Sequence, residues 1–272
     1  MKKLMLKIAL TVATALGASS AMAGPFILAG TDADDHGFAN VSGNQDGWLF
    51  MQKVLENLAP GVTNGNKTVV ILGSTSSANT AASSAFNLSS LAGAGGWTVV
   101  NVSTANFASF FGNTGSGTTL SGAGILMMDS NGNIGGGVNG SAFTPYASDI
   151  NNFVGAGGGL FSQANGYAWL SALLPAVTVT PEFQTGLTLT AAGNGAFPGL
   201  TNGDLSAGPY HNRFDGFSPI PILATSNATG NAIIIGGTGG SITNPGTVPE
   251  PSTLALLGIV ALGLVARRRM RA

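Results

Sequence analysis

The 272-residue chain has no cysteine. That excludes disulfides, thiolate metal sites, iron–sulfur clusters and a thiol nucleophile. Stability must come from a packed apolar core, and the roughly 220 residues between the two ends are enough to build one. Charge is almost as scarce, since Asp, Glu, Lys and Arg make up 8% of the sequence. Between residues 24 and 247 the basic residues are Lys53, Lys67 and Arg213, against ten acidic ones, a formal charge of −7. Phosphate contacts need clustered Lys and Arg, so this core is a poor partner for nucleic acid. The same deficit argues against adhesion of the core to anionic lipid. Histidine occurs twice, as His36 and His211. Aromatics are few, and Trp48, Trp97 and Trp169 fall at helix and strand positions that bury them, not as an exposed sugar-stacking platform.

Gly, Ser, Thr, Asn and Ala dominate what remains, a composition of long polar loops. The Asn-x-Ser/Thr triplets at Asn66, Asn87 and Asn227 are expected by chance in so Asn- and Thr-rich a chain and are not read as glycan sites.

Both ends carry sorting patterns. Lys2, Lys3 and Lys7 form a positive segment, Ile8 to Gly17 an apolar one, and Ala21-Met22-Ala23 a small-residue cleavage site. Residues 1–23 therefore read as a signal peptide cut by signal peptidase after Ala23, with Gly24 the first mature residue. The other end reads Val248-Pro249-Glu250-Pro251-Ser252-Thr253, then an apolar run from Leu254 to Val265, then Arg267, Arg268, Arg269 and Arg271. The prolines lack amide donors and hold an extended, accessible stretch. The arginines resist translocation and keep that end cytoplasmic. As a helix the run is about 20 Å long at 1.5 Å per residue, below the roughly 20 residues an unaided span needs. A short anchor suits a segment held briefly and then removed; an ordinary membrane anchor is the alternative.

Residues 248–272 resemble the PEP-CTERM sorting signal of exported Gram-negative proteins. The resemblance implies recognition and cleavage by a membrane-embedded exosortase and transient attachment to the inner membrane. It also implies an envelope or biofilm setting with exopolysaccharide as a candidate partner. The final location would be periplasm, outer surface or extracellular matrix.

Within the exported domain, 24–240, short apolar runs alternate with helical patterns. Strands are expected at 26–29, 68–73, 97–102, 124–129 and 159–162. Helices are expected at 46–59 with Asp46 or Asn44 as N-cap, at 77–91, at 107–111, from Thr144-Pro145 to Val154, and at 168–174. Residues 177–180 and 187–190 alternate as antiparallel strands or a hairpin, and 222–224 with 232–235 as a closing strand pair. Residues 241–247 form a linker to the tail. Continuous apolar strands between helices predict an α/β fold, a three-layer structure with a mostly parallel sheet. Antiparallel additions follow near the C-terminal part, and one C-terminal hydrophobic helix ends the chain.

Ile125 to Asp129, the helix from Pro145 to Val154, and Gly157-Gly158-Gly159-Leu160-Phe161-Ser162-Gln163-Ala164 together resemble the class I glutamine amidotransferase-like fold, which is flavodoxin-like. In that family a cysteine sits on the turn after the strand here ending near Ser162; this chain has Ala164 there. No downstream His-x-Glu occurs. The resemblance thus implies the scaffold without the reaction, and fold alone does not set function.

A few polar groups could still carry chemistry. Asp32, Asp34, Asp35 and His36 crowd the loop after the first strand, where a parallel sheet binds ligands. They could hold Ca²⁺ or another divalent ion, or form a solvated loop with an Asx-turn; no Glu closes the loop as in an EF-hand. Asp129 follows a strand at the same edge, as a ligand or as a turn residue. Ser162 with His211 and Asp215 is the one conceivable triad, without a full G-x-S-x-G elbow. Arg213 is expected to pair with Asp215 or another carboxylate. No catalytic residue and no cofactor beyond Ca²⁺ is assigned. The leading reading is a non-catalytic surface or matrix protein. A hydrolase, or a Ca²⁺- or carbohydrate-binding module at the carboxyl edge of the sheet, is the alternative.

Overall fold

The computed structural model describes residues 25–128, 135–163, 167–172 and 174–237. The expected signal peptide, linker and sorting tail, and Asp129, lie outside them. In chain order the elements begin with β1 (Phe26–Ala29), β2 (Gly37–Asn40), β3 (Gly43–Gln45), α1 (Asp46–Leu58), β4 (Thr68–Leu72) and α2 (Ser76–Asn87). There follow β5 (Thr98–Val102), α3 (Phe107–Phe111), β6 (Ile125–Met128), α4 (Ala147–Gly155) and β7 (Gly159–Ser162). The chain continues through β8 (Thr178–Thr185), β9 (Leu187–Leu189), α5 (Ala191–Ala196), β10 (Pro209–Asp215), β11 (Ile222–Ser226) and β12 (Ala232–Gly237).

All five expected strands form, and they pair in parallel, in the order β5-β4-β6-β7-β1. Their apolar residues are covered on both faces, as an unbroken hydrophobic run requires. Alternate side chains enter two cores. Val69, Ile71, Ile125 and Met127 face α1 and α2, packing with Phe50, Leu55 and Ala82. Val70, Leu72, Leu126 and Met128 face α3 and α4, packing with Phe110, Ile150 and Val154. Phe50 anchors the first core, its ring edge-on to Phe161 and Phe197 with centroids 6.0 and 5.4 Å away.

β1 ends the parallel half and begins the antiparallel one. It runs parallel to β7 and antiparallel to β12, and β10, β8, β11 and β9 extend the sheet beyond. The result is a mixed α/β structure. Its strand order departs from the flavodoxin-like order 2-1-3-4-5, because the first strand takes the fifth place.

Several local expectations are corrected. β8 and β9 are not a hairpin: only Gly186, at φ +85°, separates them, and they pair with β10 and β11 respectively. A hairpin loop needs at least two residues to turn. The segment before α4 is a 3₁₀ turn over Gly140–Tyr146 with Pro145 inside it, capped by Asn139, whose Oδ1 accepts from Ser141 N. Neither Asp46 nor Asn44 caps α1. Gln45 takes that position without a side-chain bond, and Asn44 instead donates to Gln52 Oε1 and Ser84 O. Trp48 and Trp97 are half-buried, whereas Trp169 is fully buried. Among the described residues no helix is long and apolar enough to cross a membrane; the expected tail helix lies outside them.

Gly30 closes the junction. Its N–H donates to Ile233 O at 2.7 Å, its carbonyl accepts from His211 N at 2.7 Å, and a Cβ added there would lie 1.9 Å from Asn212 O. Gly30→Ala is therefore expected to lose about 1–3 kcal/mol through forced backbone separation, read as a urea midpoint. Gly117→Ala meets nothing within 4 Å and should stay within about 0.5 kcal/mol of the parent. Equal behaviour of the two variants would contradict this account of the junction.

Candidate functional site

The parallel strands all finish at one edge of the sheet, and the loop after β1 begins there with Thr31. Backbone bonds shape it: Asp35 N donates to Asp32 O at 3.1 Å and Gly47 N to His36 O at 2.9 Å. Trp48 Nε1 donates to the Asp34 carbonyl at 2.8 Å, tying the loop to α1. From the other side β10 reaches in through a bridge between Thr31 and Tyr210. This places His211 beside the loop.

The Asp32 carboxylate is buried, its side chain 6% exposed. Its Oδ2 faces Nε2 of His211 at 2.7 Å and Nε2 of His36 at 3.2 Å. The hydrogen bond to Asp32 holds the His211 imidazole above its ordinary pKa; burial opposes this, and the charges of Asp32, Asp35 and Asp34 add to the rise. His36 lies flat against the backbone at Gly208, where a Cβ would sit 2.0 Å from its Cγ. Between them is a small cleft of about 290 Å³ lined by Thr31, Asp32, His36, Asp204, Leu205 and Tyr210. Thr31 Oγ1 at the cleft, and His211 Nδ1 outside its lining, are buried without a hydrogen-bond partner among the described residues. A wider groove of about 820 Å³ runs beside β5, lined by Val100, Asn101, Asn106, Ser109 and Thr118 among others, none of them charged. It contains none of the expected site residues.

The structure thus brings Asp32 and His36 together and adds His211. Asp34 turns the other way, its Oδ1 accepting from Gln163 Nε2 at 3.2 Å. Among the described residues no group of three or more His, Asp or Glu side chains could hold a metal ion. The triad of Ser162, His211 and Asp215 is not assembled. His211 is on Asp32, and Asp215 accepts from Arg213 Nε at 3.1 Å. Ser162 is buried at the end of β7, where its carbonyl accepts from Tyr167 OH at 2.7 Å. Tyr167 also donates to Ala29 O at 2.9 Å, and burial pushes its phenol far up despite these bonds.

A second polar cluster stands in the antiparallel half. Glu182 Oε1 accepts from Thr229 Oγ1 at 2.6 Å, and Oε2 from Asn231 Nδ2 at 2.7 Å and Arg213 Nη1 at 3.4 Å. Tyr210 OH lies 3.4 Å from Glu182 Oε1 and is also bonded to Ser226 Oγ. Burial alone would raise the Glu182 carboxyl, but bonds from Thr229, Asn231 and Arg213 bring it below its ordinary value. Arg213 pairs as expected, with two carboxylates.

Sequence reasoning missed the His211–Asp32 contact because 179 positions separate the two residues. The available signal was rarity, since a chain with two histidines had both near aspartates.

Comparison with known proteins finds one family model, the PEP-CTERM protein-sorting motif, over residues 247–269. The match contains Pro249, Glu250 and Pro251 and the first three tail arginines, while Arg271 falls just beyond it. It supports an exported protein targeted for exosortase processing, with a cell-envelope or surface location. No curated protein and no solved structure matches the chain, so the amidotransferase-like resemblance of the core gains no support from relatives.

Glu182 yields a pH-dependent expectation. Its folded pKa is depressed, so its contribution is present above the ordinary 4.5 and is lost as pH falls through the lower folded value. Glu182→Gln should cost about 1.5–3 kcal/mol at neutral pH, the usual worth of hydrogen bonds to a charged group. The gap to the parent should narrow as pH drops below 4.5. Urea unfolding that gives the same gap at pH 7 and pH 4 would contradict the assignment.

Proposed function

We propose that the chain is an exported surface or matrix protein with a non-catalytic, structural or binding role. Residues 1–23 direct export, signal peptidase exposes Gly24, and an exosortase removes the tail at 248–272. The α/β domain is what remains. The observation that carries the reading is the sorting motif at 247–269. The polar chemistry of the core agrees with it. The carboxylates of Asp32, Glu182 and Asp215 are taken up by other side chains of the same domain. Ser162, the nearest candidate nucleophile, has neither histidine assembled with it as a base: both turn Nε2 toward Asp32.

The motif has a mechanical logic. Proline cannot continue a helix outward and keeps the segment before the apolar run extended, the backbone form proteases accept. The arginines hold the far end against translocation. Replacing Pro249, Glu250 and Pro251 by alanine removes the extended segment while leaving the anchor.

The uncut precursor of that triple variant should accumulate in the membrane fraction, detected by immunoblot against the parent. Deleting residues 248–272 should release the exported domain into the soluble fraction. A triple variant cut and localised like the parent would refute exosortase processing through this motif.

A further inference from the structure

The large sheet ends in β8 on one side and β5 on the other, and the two ends are built differently. An open edge strand offers backbone N–H and C=O groups to any other strand unless something blocks it. β8 is blocked. Pro181 lies within it, the Glu182 side chain is buried, and its register with β10 shifts between Tyr210 and Asn212. β5 reads Thr98-Val99-Val100-Asn101-Val102, with no proline, no charge and an unbroken register with β4. Its bonds show which groups are open. Thr98 N donates to Lys67 O at 2.9 Å, and Val102 O accepts from Gly73 N at 2.8 Å. By the alternation of a parallel ladder, Thr98, Val100 and Val102 turn their backbone groups to β4, and Val99 and Asn101 turn theirs outward. The uncharged groove of about 820 Å³ runs alongside, with Val100, Asn101 and Val102 in its lining. Among the described residues no strand pairs with this edge.

We propose that this edge takes β5 of a second copy of the chain, antiparallel and about a two-fold axis at Val100. That register sets Val99 opposite the partner's Asn101 and Asn101 opposite the partner's Val99. Each such pair exchanges both backbone bonds, so the outward groups of both strands are all satisfied. On the groove side Val100 meets the partner's Val100 and Thr98 meets the partner's Val102, β-branched pairs that pack across strands. Charge favours a second copy at this place. Each domain carries a formal −7 between residues 24 and 247, and two copies repel least where neither brings a charge to the contact. The blocked β8 edge stops further addition, so the assembly closes as a dimer and does not grow into a fibre. One strand pair is small against the roughly 1,600 Å² of a standard interface, so the dimer forms in a concentration-dependent way.

The chain has no cysteine, so single cysteines report the pairing directly. The test is copper–phenanthroline oxidation of full-length Val100→Cys and Thr98→Cys chains in detergent, read on a non-reducing gel over a concentration series. At the axis, a non-hydrogen-bonded pair places the two Cα atoms about 4.5 Å apart, within disulfide reach. The two copies of position 98 stand four residues apart along the strand, about 13 Å, which is out of reach. Val100→Cys should therefore cross-link to a dimer, more so at higher concentration. Thr98→Cys should stay monomeric although Thr98 is the more exposed of the two. Adding Val99→Pro, which removes an outward N–H and leaves the bonds to β4, should cut the Val100→Cys cross-link at least tenfold. Should that double variant fail to fold, the contrast between positions 98 and 100 decides alone. Equal cross-linking at both positions would be collision or association through the tail and would overturn the proposal. Absence of a Val100→Cys dimer at every concentration would overturn it too, leaving the edge to a strand from another protein.

Discussion

β1 is four residues long, and both halves of the sheet hang on it. Leu28 stands opposite Ser162 of β7 on one side and Ile235 of β12 on the other, one pairing parallel and one antiparallel. Its side chains alternate between the two cores, Phe26 and Leu28 into one, Ile27 and Ala29 into the other. A slip of one residue would exchange those faces and would also move the loop that follows. Gly30 then divides its two backbone groups between β12 and β10. The position of Asp32, and of His211 beside it, is a consequence of that register.

Charge is rationed in this domain, and the ration explains where polar groups go. Burying a carboxylate is tolerated only with partners. Glu182 has Thr229, Asn231 and Arg213, and Glu56 has Lys53, Gln52 and the Ser90 amide. In the acidic loop, Asp32 faces the imidazoles of His36 and His211.

β1, β4, β6 and β7 were legible as short, largely unbroken apolar runs, a pattern that double-sided burial rewards, and β5 from its valines despite Asn101. The tail was readable because a linear signal keeps its meaning without a fold. Strand β10 was read as a local ion-pair segment, although Tyr210, Asn212 and Phe214 alternate inward; the single arginine drew attention from the period. β8 runs on through Pro181 to Thr185, beyond the expected 177–180, and tolerates the proline because it is an edge strand. The place of β1 beyond β7 was not legible, since periodicity says which face is buried and nothing about which strand is the neighbour. Asp32 and His36 were found from their crowding, whereas His211 was read only in a conceivable triad with Ser162 and Asp215, because only the β1–β10 junction brings it to Asp32.

Native-state hydrogen exchange on the exported domain tests most directly whether β1 joins the two halves into one structure. If it does, amides of β1, β7 and β12 exchange only through global unfolding, with one common opening free energy that tracks urea stability. If β8 to β12 opened together at a distinctly lower free energy than β4 to β7, the antiparallel half would be a separate unit and β1 would not be the constraint on which the rest depends.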